Sequence, residues 1–325
     1  MKAIVQDTYG SADVLQLRDI DRPAIGDDEV LVRVCAAGVD PGVWHLMTGK
    51  PFLVRAMFGL RRPKVAVPGR DLAGVVEAVG AGVTRLRPGD EVYGTCKSGS
   101  YAEFATSPQR WLATKPANLS FEQAAVTPIS GMTALQSVRD FGGVQPGHRV
   151  MVIGAAGGVG TFAVQIAKVF GATVTGVCGT AKTDLVSRLG ADDVIDYTQR
   201  EIDCDGPRYD VIIDTAGNRP LSLLRRALTP RGTLVLVGGE SSGGRILGGF
   251  DRQLLRAPIA SMFARQRLRG ATAKENVEDL DELRRLIESG AVTPAIGRTF
   301  ALVDAPEAIR HVGTGHVTGK TVVTV

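Results

Sequence analysis

The sequence predicts an α/β protein in which a doubly wound parallel sheet is inserted into a β-rich domain. Three observations carry that expectation. A glycine-rich turn at 154–160 joins a strand-like run to a helix-like one. Beyond it, short Val/Ile/Leu-rich runs alternate with helical stretches, the pattern of parallel strands covered on both faces. Before it, the first third is strand-like and punctuated by Gly and Pro, and the tail, Lys320 to Val325, is strand-like again. At 325 residues the chain exceeds one ordinary core. The boundaries read as 1–121 with 275–325 for the β-rich domain and 122–274 for the insertion, the tail returning to the first domain.

Taken in order, Val30 to Val34, Gly74 to Val79 and Glu91 to Tyr93 read as strands, the last after a Pro88-Gly89-Asp90 turn. Ser120-Phe121-Glu122-Gln123 has capping-box spacing and predicts a helix start. A second helix follows through Gly131 to Phe141. His148 to Ile153 is a strand. Gly158 to Phe170 is a helix in which Val159, Phe162, Ala163, Ile166, Ala167 and Phe170 share one face. Thr173 to Cys178, Val194 to Tyr197, Val211 to Asp214 and Leu234 to Val237 continue the strands, with a short helix over Thr183 to Leu189. Phe250 to Arg269 reads as a helix broken near Pro258, and Glu275–Glu288 as a charged amphipathic helix.

Composition narrows the function classes. A hydrophobic fraction of 44% and a charged fraction of 22% fit a soluble globular protein and argue against disorder. A net charge of +4, spread along the chain, does not by itself argue for nucleic acid; it is compatible with a small anionic ligand. Cys35, Cys96, Cys178 and Cys204 show no CxxC spacing, so neither a structural zinc site nor a disulfide framework is visible. A reducing, cytoplasmic compartment is expected. The N-terminus is too poor in apolar residues for a signal peptide, and no apolar run reaches the roughly 18–20 residues that span a bilayer.

The strongest motif is Val150-Met151-Val152-Ile153-Gly154-Ala155-Ala156-Gly157-Gly158-Val159-Gly160. It lies between a predicted strand and a predicted helix, the context that distinguishes a dinucleotide fingerprint from a chance glycine cluster. Ala155-x-Gly157-x-x-Gly160 is G-x-G-x-x-G with Ala first. Gly157 lets the backbone approach a pyrophosphate, and Gly160 allows close helix–strand packing. The helix N-terminus offers free N–H groups to the phosphates. The fold expected here is therefore of Rossmann type. An NAD site places Asp or Glu about 20 residues on, at the end of the second strand. Here that place reads Cys178-Gly179-Thr180-Ala181-Lys182. A carboxylate repels a 2′-phosphate, whereas Thr180 and Lys182 bind one, so NADPH is the expected cofactor. Lys182 is otherwise a solvated lysine at a helix start.

Four stretches together resemble the medium-chain dehydrogenase/reductase superfamily, in its zinc-free quinone oxidoreductase-like branch. They are Cys35-Ala36-Ala37-Gly38-Val39-Asp40-Pro41, Pro68-Gly69-Arg70-Asp71-Leu72-Ala73-Gly74, Pro128-Ile129-Ser130-Gly131-Met132-Thr133-Ala134-Leu135 and Gly157-Gly158-Val159-Gly160. The resemblance implies a GroES-like substrate domain around the Rossmann insertion. In zinc-dependent members a Cys, a His and a second Cys hold the metal; the matching positions here are Asp40, Arg70 and Ser130. A guanidinium has no lone pair to give, so no metal is expected. Asp40 and Arg70 either pair where the metal sat or point elsewhere. The resemblance also matches Lys182 and Tyr197 to residues that contact the 2′-phosphate, Tyr197 being otherwise a half-buried strand-end tyrosine. The expected cofactor contacts are Ala156, Gly157, Gly158, Val159, Gly160, Gly179, Thr180, Lys182, Tyr197 and Gly238.

The reaction implied is hydride transfer to a quinone, enone or enal. Such conjugated acceptors spread the developing charge and need no Lewis acid. Candidate pocket residues are Asp40, Trp44, Arg70 and Ser130. Trp44 stacks on a flat acceptor or fills the core. His45 lies near a position used for proton relay in zinc enzymes. Pro51 to Arg62 mixes apolar and basic residues; it lines a pocket mouth, touches a membrane surface, or, as expected here, packs as an ordinary loop. The resemblance implies a homodimer, through edge strands of the cofactor sheet, with Gly232 to Val237 and the segment after Phe250 contributing; the sequence alone does not fix a dimer. The competing classes are a zinc-type alcohol dehydrogenase and a low-turnover NADPH-binding structural or RNA-binding protein. Arg252, Arg256, Arg265, Arg267 and Arg269 would supply the latter's phosphate-binding face, although an ordinary solvated helix is the expectation.

Overall fold

The computed structural model describes residues 1–202, 208–238 and 265–325, without the side chains of Leu53 and Val54. The described chain divides into two compact units. One comprises Met1–Met132, Glu275–Gly290 and Pro294–Val325; the other comprises Thr133–Lys274 and Ala291–Thr293.

The first unit opens with an antiparallel pair, β1 (Lys2–Val5) and β2 (Gln16–Asp19). β3 (Glu29–Val39), α1 (Pro41–Thr48), α2 (Phe52–Phe58), β4 (Asp71–Val79), β5 (Glu91–Thr95), β6 (Phe104–Pro108) and β7 (Leu112–Thr114) follow. Next come α3 (Phe121–Ala125) and α4 (Pro128–Gln136), the second running into a π-helical turn, Ser137–Phe141. The capping box is formed: the Gln123 N–H donates to Ser120 Oγ at 3.3 Å, and the Ser120 N–H to Gln123 Oε1 at 3.2 Å. α3 packs on β3 and β4, which places it in the first unit and carries that unit to Met132, past the 121/122 junction expected from sequence.

The second unit contains β8 (Arg149–Ile153), α5 (Gly158–Val169), β9 (Thr173–Cys178), α6 (Thr183–Arg188), β10 (Asp193–Asp196), β11 (Tyr209–Asp214), α7 (Leu221–Ala227), β12 (Leu228–Leu236) and β13 (Arg267–Gly270). Its sheet runs β10-β9-β8-β11-β12-β13 with every neighbour parallel. This is the doubly wound order in which the chain reverses direction beside the first strand, here β8. Met151, Ile153, Val177, Ile212, Leu234 and Leu236 form its strand core. Residues 250–264 of the expected Phe250–Arg269 helix, with Pro258, Arg252 and Arg256, lie outside the described residues. Residues 267–269 are a strand, not a helix. Leu268 is buried between exposed Arg267 and Arg269, the two-residue period of a half-covered strand.

The chain then returns to the first unit with α8 (Val277–Glu288), β14 (Ile296–Ala301), α9 (Ala305–Gly313) and β15 (Lys320–Thr324). Asn276 caps α8 by accepting the Asp279 N–H at 2.7 Å. The tail pairs antiparallel with β3, in register from Thr321 opposite Val39 to Thr324 opposite Ala36. The resulting sheet runs β14-β15-β3-β4-β5-β7, with β6 also on β3.

Candidate functional site

At the end of β8 the chain turns through Gly154, whose φ of +78° is the left-handed conformation that favours glycine. The motif puts Ala155 at the first glycine position; the tight turn is made one residue earlier. A Cβ on Gly154 would meet Thr215 Oγ1 at 2.4 Å. That hydroxyl instead donates to Ile153 O at 2.8 Å. Gly238, after β12, presses on the backbone of the same residue: a Cβ there would lie 2.1 Å from Thr215 O. Gly160 lies against the turn itself. A Cβ on it would stand 2.1 Å from Gly154 O, so only glycine lets α5 start this close to β8. Gly157 differs. A Cβ there meets only Gly154 O, at 3.3 Å, and the space in front is open. The Thr161 N–H donates to Gly157 O at 3.0 Å, closing the first turn of α5. The N–H groups of Gly158, Val159 and Gly160 precede that bond and stand ahead of the helix as donors. Ala156 is buried behind them.

At the end of β9, Gly179 leads into a 3₁₀ turn, Thr180–Lys182. β10 pairs with β9 in a register that sets Asp196 opposite Cys178. The Tyr197 N–H donates to Cys178 O at 3.0 Å, and a Cβ on Gly179 would meet the Tyr197 hydroxyl at 3.3 Å. Gly179, Thr180, Lys182 and Tyr197 are thus gathered at one corner. Two groups that sequence reasoning missed share it. Thr180 Oγ1 donates to Asp196 Oδ2 at 2.6 Å, and this hydrogen bond holds the Asp196 carboxyl below its usual range. A carboxylate therefore does stand beside the second strand, brought from 16 residues further on. Arg219, in the loop after β11, lies over the Tyr197 ring, 5.6 Å from its centroid. Burial lowers the Lys182 ammonium from its ordinary value.

In the first unit Asp40 is the N-cap of α1. Its Oδ1 accepts the Gly42 N–H at 2.7 Å, while Oδ2 is buried without a hydrogen-bond partner. The pairing of Asp40 with Arg70 is not formed: Arg70 is ion-paired with Glu275, whose other oxygen accepts from Thr95 Oγ1 at 3.3 Å. The neighbouring Asp71 is wholly buried. Its Oδ1 accepts the Ile129 N–H at 3.0 Å, and Oδ2 lies 3.6 Å from the equally buried Lys320 ammonium. Burial, reinforced by the charge of Asp40 and opposed by Lys320, pushes the Asp71 carboxyl up to about 7. Ser130 is buried one residue beyond Ile129.

Trp44 stands apart from these. It packs edge-on to His45, with ring centroids 5.3 Å apart, and against the first-unit core. With Tyr9, Met47, Lys50, Arg55 and Gly313 it lines a cavity of about 590 Å³ that Asp40, Arg70 and Ser130 do not line. His45 Nδ1 lies 2.8 Å from Lys50 O, a bond that closes the C-terminal end of α1. In the second unit, Arg269 donates to Asp140 O at 3.2 Å and Phe141 O at 3.3 Å, so this arginine is engaged with backbone instead of standing on a solvated helix face.

Two family models match the chain. The family described as "Alcohol dehydrogenase GroES-like domain" matches residues 26–117, and that described as "Zinc-binding dehydrogenase" matches residues 189–323. The chain is similar to the 2-methylene-furan-3-one reductase of Solanum lycopersicum, 33% identical over 99% of this chain and 79% of that protein. The NADPH-dependent alkenal/one oxidoreductase, chloroplastic, of Arabidopsis thaliana is also 33% identical, over 99% of this chain and 79% of its own length. Among solved structures, the quinone oxidoreductase from Coxiella burnetii matches with a TM-score of 0.85 at 28% identity, covering 100% of this chain and 99% of that one. With a fingerprint turn at the switch point of a doubly wound sheet and relatives matched along nearly its whole length, the chain belongs to the medium-chain dehydrogenase/reductase superfamily, in its quinone oxidoreductase-like branch.

Proposed function

We propose that the protein is an NADPH-dependent, metal-free oxidoreductase that reduces a quinone or an α,β-unsaturated carbonyl. The observation that carries this is the open face of Gly157 beneath the first-turn amides of α5, at the point where the sheet order reverses. Ala156, Gly157, Gly158, Val159 and Gly160 would hold the pyrophosphate there, with Gly238 keeping the adjoining turn narrow. Gly179, Thr180, Lys182 and Tyr197 would receive the 2′-phosphate. Arg219 adds a second cation to that corner, against the single carboxylate of Asp196.

The donor set does not fit a catalytic zinc. Of the three matching positions, Arg70 has no lone pair to offer and is tied to Glu275. Among the described residues no group of three or more His, Cys, Asp or Glu side chains is arranged to hold a metal ion. The reduced nicotinamide supplies the hydride when bound. A conjugated acceptor then needs only a hydrogen-bond donor at its oxygen. Ser130 is assigned that role. Arg70 acts as a positioning residue through Glu275, and the last proton comes from solvent. Trp44, turned to a different cavity, is left out of this set.

A cytoplasmic homodimer is part of the same proposal. Cys35, Cys96 and Cys178 are free thiols, as a reducing compartment favours. Of the strands expected to join copies, β12 is interior to its sheet; among the described strands β10 and β13 are the edges, and β13, next to β12, is the more suitable contact. No helix of the described residues is long and apolar enough to cross a membrane.

The test is binding of NADPH and NADH to the purified protein, followed by cofactor oxidation with a small quinone and a small enone. NADPH should bind more tightly, Lys182→Ala should weaken NADPH by about tenfold with little effect on NADH, and a chelator should leave turnover unchanged. NADH preference, or activity lost to chelator and restored by zinc, would overturn the proposal.

A further inference from the structure

Between Pro41 and Arg70 the chain carries six cations, at 50, 55, 61, 62, 64 and 70, and no carboxylate. The same stretch holds Phe52, Met57, Phe58, Leu60 and Val65, five large apolar side chains open to solvent, against four elsewhere among the described residues. Met57 is 68% exposed and Leu60 75%. The ordinary packed loop expected from sequence is therefore not what forms. Single exposed apolar residues need no explanation, but such a concentration marks an interaction surface.

The tip is shaped from behind. The Tyr9 hydroxyl donates to Gly59 O at 2.6 Å, the Lys64 N–H to Phe58 O at 2.8 Å, and Lys64 Nζ to Met57 O at 3.1 Å. Gly59 has φ +126°, and a Cβ on it would meet Arg62 O at 2.1 Å, so the turn that follows α2 is closed tightly. Met57 and Leu60 are held outward on this turn, with Arg61 and Arg62 exposed beside them.

We propose that the turn 57–64 docks the protein on an anionic lipid surface. Apolar tips enter the boundary between headgroups and acyl chains, and flanking cations meet the lipid phosphates. The alternation of charge and apolar side chain, without any carboxylate, favours lipid over a second copy of this chain. Two copies meeting through this patch would set like charges face to face. Asp7 feels the charge of Arg62, but its carboxylate is already engaged by Arg18 at 2.8 Å and does not neutralise the turn. Partitioning, not turnover, tests this docking, so its failure would leave the hydride-transfer proposal untouched.

The test is flotation of the full chain with vesicles of phosphatidylcholine alone and of phosphatidylcholine mixed with phosphatidylglycerol, at low and high salt. Binding to the mixed vesicles is expected, weakening as salt rises. The pairs Met57→Glu with Leu60→Glu, and Arg61→Glu with Arg62→Glu, should each reduce partitioning by at least about tenfold while leaving the melting temperature unchanged. A single Leu60→Ser variant serves if a pair fails to fold, with a smaller loss in the same direction. Absence of binding to the mixed vesicles at low salt, equal binding to neutral vesicles, or folded variants that bind as the parent does would overturn the proposal. So would a loss of binding that tracks a fall in oligomer mass in sedimentation, because the patch would then join copies of the chain.

Discussion

Lys320 lies inside the first unit with an ammonium that has no hydrogen-bond partner, 3.6 Å from Asp71. Above about pH 7, where Asp71 is ionised, that buried ammonium is tolerated because an opposite charge faces it, and removing one partner is then far worse than removing both. Asp71→Ala is therefore expected to destabilise the first unit by about 3–5 kcal/mol, since it strands the ammonium and also leaves the Ile129 N–H unpaired. The double change Asp71→Asn with Lys320→Met keeps that acceptor and removes both charges, and should recover most of the loss in denaturant titrations. If the effects of the single changes simply add, the two groups do not depend on each other. At the other end of the chemistry, Asp196 occupies Thr180 with a hydrogen bond and places a negative charge at the corner assigned to the 2′-phosphate. Asp196→Asn should tighten NADPH by about fivefold, the size of one close charge contact in water, and leave NADH nearly unchanged. Equal tightening of both nicotinamides would remove Asp196 from the phosphate corner.

The glycine turn shows what local pattern does and does not encode. A strand before it and a helix after it were legible from residue types alone, as was the capping box at Ser120, because each depends on neighbours within four or five positions. Gly157 and Gly160 look alike in the motif yet differ in what surrounds them. Gly160→Ala forces a Cβ to 2.1 Å from Gly154 O, which must move α5 off β8. It is expected to cost more than about 1 kcal/mol and to weaken both nicotinamides. Gly157→Ala points a methyl into open space, so stability should change by no more than about 0.5 kcal/mol while cofactor binding falls. Thermal melts with and without NADPH separate the two; a matched loss of stability in both variants would show that Gly157 is structural. What sequence could not show are the long-range choices. Glu275 takes Arg70 from 205 positions away, and Asp196 reaches Thr180 through the register of β10 on β9. The strand at 267–270 escaped because its two exposed arginines flank one buried leucine, a pattern too short to distinguish from a helical face.

At the scale of the whole molecule, the chain leaves the first unit after Met132 and returns at Glu275, so that its last strand, β15, lies inside the sheet beside β3 and carries Lys320. The first unit's stability is thus tied to residues from both ends of the chain, and with them to the protonation of Asp71. Asp71 has a folded pKa of about 7 against an ordinary value of 3.8, raised mainly by burial; Lys320 and Arg70 oppose the rise and Asp40 adds to it. Between those two values the folded chain holds a proton that the unfolded chain releases. Stability associated with the neutral carboxyl is therefore full below pH 3.8 and lost as pH rises to about 7. The carboxylates Asp7, Asp13, Asp192 and Asp196 have the opposite sign: their pKa values are lowered, and the stability they add is lost only on acidification below the ordinary carboxylate range. The two windows do not overlap, and from about pH 5 to 7 Asp71 sets the slope, at no more than about 1.4 kcal/mol per pH unit for one proton. Both tryptophans, Trp44 and Trp111, belong to the first unit, so their fluorescence reports its unfolding without a signal from the second. Urea midpoints followed by that fluorescence should fall between pH 5 and pH 7 in the parent chain and stay nearly level in Asp71→Asn. A parent chain with level midpoints, or a variant that keeps the slope, would mean that the proton is held elsewhere.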